Sequence, residues 1–396
     1  MIDLEEATRL YNEAEEINSW FIPGLSDSDP YPKEDIQVLL KKAAELGSED
    51  AYYHMIFDSE EQKTDFLKDL AYKNIPYACY HYSKYLLIYG SKELYVYWLK
   101  RAAGLGYPKA ECEVGSMYLR GYILEQDFFT GLTYLNKASE NNNVDALLCL
   151  SELYEKGCFG NIEKLEIIEK NPLLAFKLKE KAARLGDKES ILWLSNSYFE
   201  GKIVPCDIAK SNELLESLVG TDHERFFDDK EKKAAAILAY RYEKGIGYAK
   251  DIQKAISYYR VALCDQYFPD ADILKHIAKL YENIAEIDSA QSCYKSALSD
   301  LQPEINGDIL YEYLLFLDKY KCCDNNVKKY LGKCADQAKQ SYECTYCLAM
   351  CYLNGIGVSQ DLKQAKYYLA ECNRWAQLST YKKERFPIIV NSNGSK

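Results

Sequence analysis

The sequence predicts an all-α fold, a solenoid of antiparallel helix pairs, on three observations. First, five segments share one pattern: a small residue, an apolar one four places on, a small one at five, a Tyr at eight and a Gly at eleven. They are Ala110-Val114-Gly115-Tyr118-Gly121, Ala146-Leu150-Ser151-Tyr154-Gly157, Ser190-Leu194-Ser195-Tyr198-Gly201, Ala234-Leu238-Ala239-Tyr242-Gly245 and Cys344-Leu348-Ala349-Tyr352-Gly355. Second, the starts at 110, 146, 190 and 234 are spaced by 36, 44 and 44 residues, and the 110 residues from 234 to 344 make three periods of nearly 37. Third, each copy is followed by a second helical pattern. A repeat of this length decides the architecture before any single motif does.

Residues 1–75 are expected to form an N-terminal helical and capping region, residues 76–376 the array, and residues 377–396 a partly disordered tail. Leu4, Ala7, Tyr11, Ala14 and Ile17 lie at helical spacing and predict a first, capping helix. Ala78-Tyr82-Ser83-Leu86-Tyr89 fits the repeat loosely, with Gly90 one place late. In the five full copies, offsets 0, 4, 8 and 11 fall on one stripe of a 3.6-residue spiral. The small residues at 0 and 5 let a second helix approach, and the Gly stops the first. Two degenerate copies fill the gap, Ile273-Ile277-Ala278-Tyr281 and one around Ile309, Tyr313 and Leu317. The second helices are plainest in Asp251-Ile-Gln-Lys-Ala255…Tyr258-Tyr259 and Asp361-Leu-Lys-Gln-Ala365…Tyr367-Tyr368, each Asp being suited to an N-cap. Three others end alike, in Ala43-Ala44…Gly47, Ala102-Ala103…Gly106 and Ala182-Ala183…Gly186.

Gly245-Ile-Gly247 with Asp251, Ala255 and Tyr258-Tyr259, and Gly355-Ile-Gly357-Val358 with Asp361, Ala365 and Tyr367-Tyr368, resemble the Sel1-like repeat, a relative of the tetratricopeptide repeat. The resemblance covers roughly residues 76 to 376. It implies a right-handed superhelix of helix pairs and a scaffolding, adaptor or regulatory role, mostly without enzymatic activity.

Composition narrows the partner. With 49 Lys and Arg against 61 Asp and Glu, the net charge is −12, which argues against nucleic acid and permits a basic protein partner. Acidity that merely keeps the chain soluble is the competing reading. The N-terminus shows no secretory signal pattern and no stretch approaches a membrane span, so a cytoplasmic protein is expected, with no membrane partner. The 14 Cys do not recur at fixed places in the repeat, which argues for reduced thiols and against a disulfide in each repeat. Cys322, Cys323, Cys334, Cys344 and Cys347 are close enough in sequence to raise zinc, but Cys344, Cys347 and Cys351 have the spacing of one packed helix face; no metal and no cofactor are expected. No nucleophile, P-loop or metalloenzyme motif is present, and Asp222-His223-Glu224 reads as a solvated turn, so the chain is not expected to be an enzyme.

Candidate contact residues come from two places. On the first helices, offsets −1, +2 and +6 face away from the packed stripe. They give Tyr77, Tyr80 and Lys84, then Tyr240 at +6 and Tyr346 at +2 of later copies. By the resemblance this face lines the inner, concave surface. The frequent apolar residue at +2 fits either a groove or a tightly wound inner wall. The second place is a pair of insertions, each eight residues beyond the regular spacing. One is Cys158 to Lys170; the other contains Phe226 and Phe227, which either meet a partner or pack into the neighbouring groove. The function these observations favour is a non-enzymatic adaptor that binds a partner protein on its concave face or inserted loops. An immunity protein that neutralises a toxin is the alternative, and a structural subunit of a larger assembly a third reading.

Overall fold

The computed structural model describes residues 3–19, 33–57, 59–159, 166–220, 227–263, 270–299 and 305–378. They form twenty helices in two compact units, residues 1–206 and 207–396. In the first unit the helices are α1 (Leu4–Ser19), α2 (Lys33–Leu46), α3 (Glu49–His54), α4 (Glu60–Tyr72), α5 (Pro76–Tyr89), α6 (Lys92–Gly104), α7 (Pro108–Arg120), α8 (Phe128–Glu140), α9 (Val144–Lys156), α10 (Pro172–Arg184) and α11 (Lys188–Glu200). In the second they are α12 (Ile208–Val219), α13 (Asp229–Lys244), α14 (Ile252–Leu263), α15 (Ala271–Asn283), α16 (Ile287–Ala297), α17 (Gly307–Tyr320), α18 (Val327–Gln337), α19 (Tyr342–Asn354) and α20 (Leu362–Leu378). Within each unit consecutive helices pack in pairs, and each pair packs on the next.

Local chemistry sets the helix ends. Side chains of Ser91, Asp127, Asn171 and Ser341 accept from backbone amides at the starts of α6, α8, α10 and α19, and Asp228 and Glu231 close a reciprocal box on α13. Asp251 caps α14 as expected, accepting from the Lys254 amide at 2.9 Å. Pro76, Pro108 and Pro172 open helices where no amide donor is needed. The repeat glycines 121, 201, 245 and 355 are left-handed, with φ from 65° to 73°. Where the degenerate copies lack Gly, Ala285 (φ 60°) and Lys321 (φ 54°) take that conformation themselves.

The stripe residues form the core. Ala110, Ala146, Ala234 and Cys344 are fully buried, as are Val114, Leu238 and Ala349. In three of the five full copies the Tyr at offset eight stacks on a Tyr of its own second helix: Tyr118 on Tyr134 (6.3 Å between centroids, 8° between planes), Tyr242 on Tyr258 (5.6 Å, 11°) and Tyr352 on Tyr368 (5.9 Å, 4°). α7 and α8 approach most closely at Gly115 and Gly131. A Cβ on either would stand 2.9 Å from the other's carbonyl oxygen. Gly247 is confined on both counts: its φ is +72°, and a Cβ would lie 2.5 Å from Ile208 Cγ2 and 2.7 Å from Asn212 Nδ2.

The fold is all-α apart from one short pairing of strands. The first insertion contains an antiparallel pairing of β1 (Cys158–Phe159) with β2 (Glu166–Ile168). Glu166-Ile167-Ile168 carries two β-branched residues free of helical periodicity, which suits an extended backbone.

Candidate functional site

The first helices of each unit present an inner face, and in the first unit it is a polar and aromatic ladder. Glu49, at the start of α3, is its hub. It accepts from His81 Nε2 on α5 at 2.8 Å, from the Tyr107 hydroxyl at 2.7 Å and from Lys109 Nζ on α7 at 3.2 Å. Burial pushes its carboxyl up, but the His81, Tyr107 and Lys109 contacts outweigh burial and hold it at about 2. Tyr53 Oη lies 3.0 Å from the same His81 nitrogen.

One turn along, Lys84 on α5 meets Glu113 on α7 at 2.5 Å, and the Tyr95 hydroxyl donates to the same oxygen. The Tyr80 ring is packed between these two knots, 5.3 Å from His81 and 5.1 Å from Tyr107, with Lys84 Nζ 5.1 Å from its centroid. Burial first, then Glu113, pushes its phenol up.

Tyr80 and Lys84 stand in this ladder, both half-buried and both engaged within the unit. Tyr77 does not. It is 2% exposed, its hydroxyl donates to the Ala44 carbonyl at 3.0 Å, and its ring is 5.8 Å from Tyr52. In this copy the residue at offset −1 packs on the preceding helix pair, so Tyr77 is a core residue and its expected place on an open groove is corrected.

The second unit has a related cluster. Glu243 on α13 accepts from His276 Nε2 on α15 at 2.7 Å, from the Tyr259 hydroxyl at 3.0 Å and from Lys244 at 2.5 Å. Burial raises its carboxyl, and Lys244, His276 and Tyr259 together bring it below its ordinary value. Tyr240 stands beside this cluster, 51% exposed, with Lys244 Nζ 5.8 Å from its ring. Tyr346, on α19, is half-buried and stacked on Tyr342 at 6.3 Å. α15 and α17 pack in sequence between α13 and α19, so the structure does not bring Tyr240 and Tyr346 together. Phe226 lies outside the described residues. Phe227 is 5% exposed, which takes its ring out of the set a partner could reach.

Sequence reasoning missed two features. The first is the pairing of histidine with glutamate: among the described residues, His54, His81 and His276 each face a carboxylate, Glu15, Glu49 and Glu243, within 2.9 Å. These pairs join residues 32 to 39 apart, a register no local pattern reveals. The second is an exposed apolar edge of the first unit. Leu87, Ile88 and Tyr89 at the end of α5 and Leu94 and Tyr97 on α6 are exposed, Ile88 and Tyr89 by more than 70%. Tyr85 rests on Tyr89 (5.0 Å), and Tyr97, Tyr72 and Tyr82 surround Trp98 at 5.0 to 5.5 Å. The signal was present as the uninterrupted run Tyr85-Leu-Leu-Ile-Tyr89. One helix cannot turn every member of such a run inward.

Elsewhere in the first unit a cleft of about 680 Å³ between α2 and α4 has an apolar floor of Met55, Phe57 and Phe66 and a charge-balanced rim of Lys41, Lys68, Asp65 and Asp69. Among the described residues no three His, Cys, Asp or Glu side chains are grouped to hold a metal ion. Cys334, Cys344 and Cys347 are buried between α18 and α19, with the Cys334 thiol donating to the Cys344 carbonyl at 3.4 Å; Cys323 is exposed. No described helix is long and apolar enough to cross a membrane.

Residues 108–143, 150–187, 232–264 and 343–371 match the model of the Sel1 repeat. The chain carries Sel1 repeats at these four places. Among solved structures it is similar to a protective antigen of uropathogenic Escherichia coli that displays an SLR fold, at 20% identity over 94% of this chain and 79% of that one, with a TM-score of 0.52. It is also similar to a Sel1 repeat protein from Oxalobacter formigenes (17% identity, 80% and 90% coverage, TM-score 0.48) and an immunity protein from Pseudomonas aeruginosa (18%, 60% and 84%, 0.38). At these identities the likeness concerns the fold, and only the first has a TM-score above one half. No curated protein sequence matches the chain. Sel1 repeats in general mediate protein–protein interaction and are typically non-catalytic scaffolds.

Proposed function

We propose that this Sel1-repeat chain is an adaptor that captures a partner protein on the exposed apolar edge of α5 and α6. The observation that carries this reading is the group of Leu87, Ile88, Tyr89, Leu94 and Tyr97, five exposed apolar and aromatic side chains within eleven residues on two helices that pack on each other. Contiguous apolar surface with a polar surround is the usual mark of a binding face, and Tyr brings large contact area with few rotors. The inner face offers a second contact. In the first unit its charges are already paired, so it adds orientation and selectivity through the half-exposed ring of Tyr53 rather than through free charge, and in the second unit the exposed ring of Tyr240 is a separate candidate. The net charge of −12 favours a basic partner by steering its approach.

Pull-down of the full chain with mass spectrometry identifies the partner, and calorimetry on variants locates the face. Ile88→Asp combined with Tyr89→Asp is expected to weaken binding by about 2 to 4 kcal/mol with melting nearly unchanged, because both side chains are exposed. Full affinity in that variant, with loss in Tyr53→Ala and Tyr240→Ala, moves the contact to the inner face. Full affinity in all of them overturns both. A recovered partner that is a toxin, inhibited on binding, turns the adaptor into an immunity protein.

A further inference from the structure

The exposed edge of α5 and α6 coincides with a local reversal of charge. Residues 70–110 hold six Lys and Arg against one carboxylate, Glu93, in a chain whose net charge is −12. Three of the six are engaged inside the unit: Lys73 with Glu45, Lys84 with Glu113 and Lys109 with Glu49. The other three, Lys92, Lys100 and Arg101, all belong to α6 and form no ion pair among the described residues. Lys100 Nζ donates to the Tyr118 hydroxyl at 2.8 Å, a neutral partner, and Lys92 is exposed. Glu93 stands in the first turn of α6, where the helix amides favour a carboxylate.

Arg101 is built into the aromatic surface. Ring contacts run without a break from Tyr89 to Tyr85 (5.0 Å), on to Tyr82 (6.2 Å) and then Trp98 (5.4 Å), and the Arg101 guanidinium lies 5.6 Å from the Trp98 centroid. Its Nε donates to Asn74 Oδ1 at 2.7 Å and its Nη1 to the Tyr97 hydroxyl at 2.9 Å. Neutral groups thus fix the fork, and Nη2 has no hydrogen-bond partner among the described residues. Leu94, Tyr97 and Arg101 follow one another at helical spacing, so the apolar side chains and the charge share one face of α6.

We infer that the segment captured on this edge is acidic: an apolar stretch bearing Asp or Glu, one of whose carboxylates meets Arg101 while its apolar side chains cover Ile88, Tyr89 and Leu94. This names the chemistry of the partner at the capture site proposed above and rests on that reading. A guanidinium held in this way still presents Nη2 and the second Nη1 proton side by side, the pair that one carboxylate accepts. Taking it breaks no existing ion pair. A single oriented fork selects a carboxylate at one fixed place, whereas a diffuse anionic surface is served equally well by Lys. The net charge of the chain does not oppose the contact. At physiological ionic strength charges beyond about 8 Å are largely screened, so the local excess sets the sign at the edge. A partner that is basic as a whole still docks through an acidic segment.

The probe is a random 16-residue peptide library displayed on phage and selected on the full chain, with the Ile88→Asp/Tyr89→Asp double variant as counter-selection. Peptides that need the edge are expected to combine Asp or Glu with Leu, Ile, Phe or Trp. By fluorescence anisotropy they are expected to bind roughly tenfold more weakly to Arg101→Glu, and to lose roughly threefold in affinity when salt rises from about 50 to about 300 mM. Lys92→Glu, at an exposed position, is expected to cost about threefold and decides the sign if Arg101→Glu does not fold. Edge-dependent peptides that are basic or uncharged overturn the inference and leave the edge standing as the capture site, as does unchanged affinity in folded Arg101→Glu. Peptides that bind the counter-selected variant as well as the natural chain overturn both. A selection that enriches nothing also defeats the inference. If phosphatidylserine–phosphatidylcholine vesicles then bind the natural chain and not Arg101→Glu, the edge meets a lipid surface instead.

Discussion

The two units solve the same problem on their inner faces with different wiring. In the first, one carboxylate, Glu49 on α3, gathers His81 from α5 and Lys109 from α7, so a single group ties three first helices. In the second, no single group does this: Glu243 ties α13 to α15 through His276, separate ion pairs, Lys279–Glu312 at 2.8 Å and Lys319–Glu282 at 3.4 Å, tie α15 to α17, and Asn354 donates to Tyr311 at 3.3 Å between α19 and α17. The units also stop their helices differently. Every left-handed stop after a repeat first helix in the first unit is glycine, whereas the second relies on Ala285 and Lys321 in two of its turns. A repeat array thus tolerates lost consensus at its turns and inner face as long as the buried stripe persists: Ile277, Ala278 and Tyr281 of α15 are as buried as their counterparts in α13.

The contrast breaks most sharply at Glu49. Its carboxyl sits below its ordinary value of about 4.5, so the folded chain releases this proton more readily than the unfolded one. The stability it contributes is complete above pH 4.5 and disappears as pH falls toward 2. Glu49→Gln is expected to cost about 2 to 3 kcal/mol at pH 7 and progressively less below pH 4.5, read from denaturant melts of both proteins across that range. Glu243→Gln follows the same course with a smaller loss. Equal, pH-independent losses at the two sites would show that neither ionised knot matters.

The turns give the next effect. Gly247→Ala places a Cβ against Ile208 and Asn212 in a left-handed turn, and a loss of about 2 kcal/mol is expected, with melting lowered accordingly. Gly245→Ala, whose Cβ would meet nothing closer than 3.5 Å, should lose about 1 kcal/mol. If the two cost the same, packing against α12 plays no part in the turn. The smallest effect is a gain. Lys321→Gly removes the strain of a non-glycine left-handed residue and is expected to stabilise by roughly 0.5 to 1 kcal/mol. A fall in melting temperature would mean that the Lys321–Asp318 contact outweighs the strain.

What the sequence made legible follows from this division. The helix pairs, their Asp caps and their glycine stops were readable because each depends on residues within one repeat; the stacking of Tyr242 on Tyr258, sixteen positions apart, spans the two helices of a pair and came only with the structure. The inner-face knots were not, because Tyr107 reaches Glu49 across 58 positions and the register comes from how pairs stack. Tyr77 was misplaced for the same reason: periodicity says which way a residue points on its own helix and says nothing of the helix before it. The strands at Cys158–Phe159 and Glu166–Ile168 escaped because short insertions carry no period to read.

The contact between Gly115 and Gly131 has an evolutionary consequence. Each glycine's carbonyl fills the space the other's side chain would need, so a methyl group at either position forces α7 and α8 apart. Once they have parted, a second methyl finds room. The two substitutions are therefore sub-additive, and the first is the one selection must oppose. A lineage that loses one of these glycines has little left to hold the other.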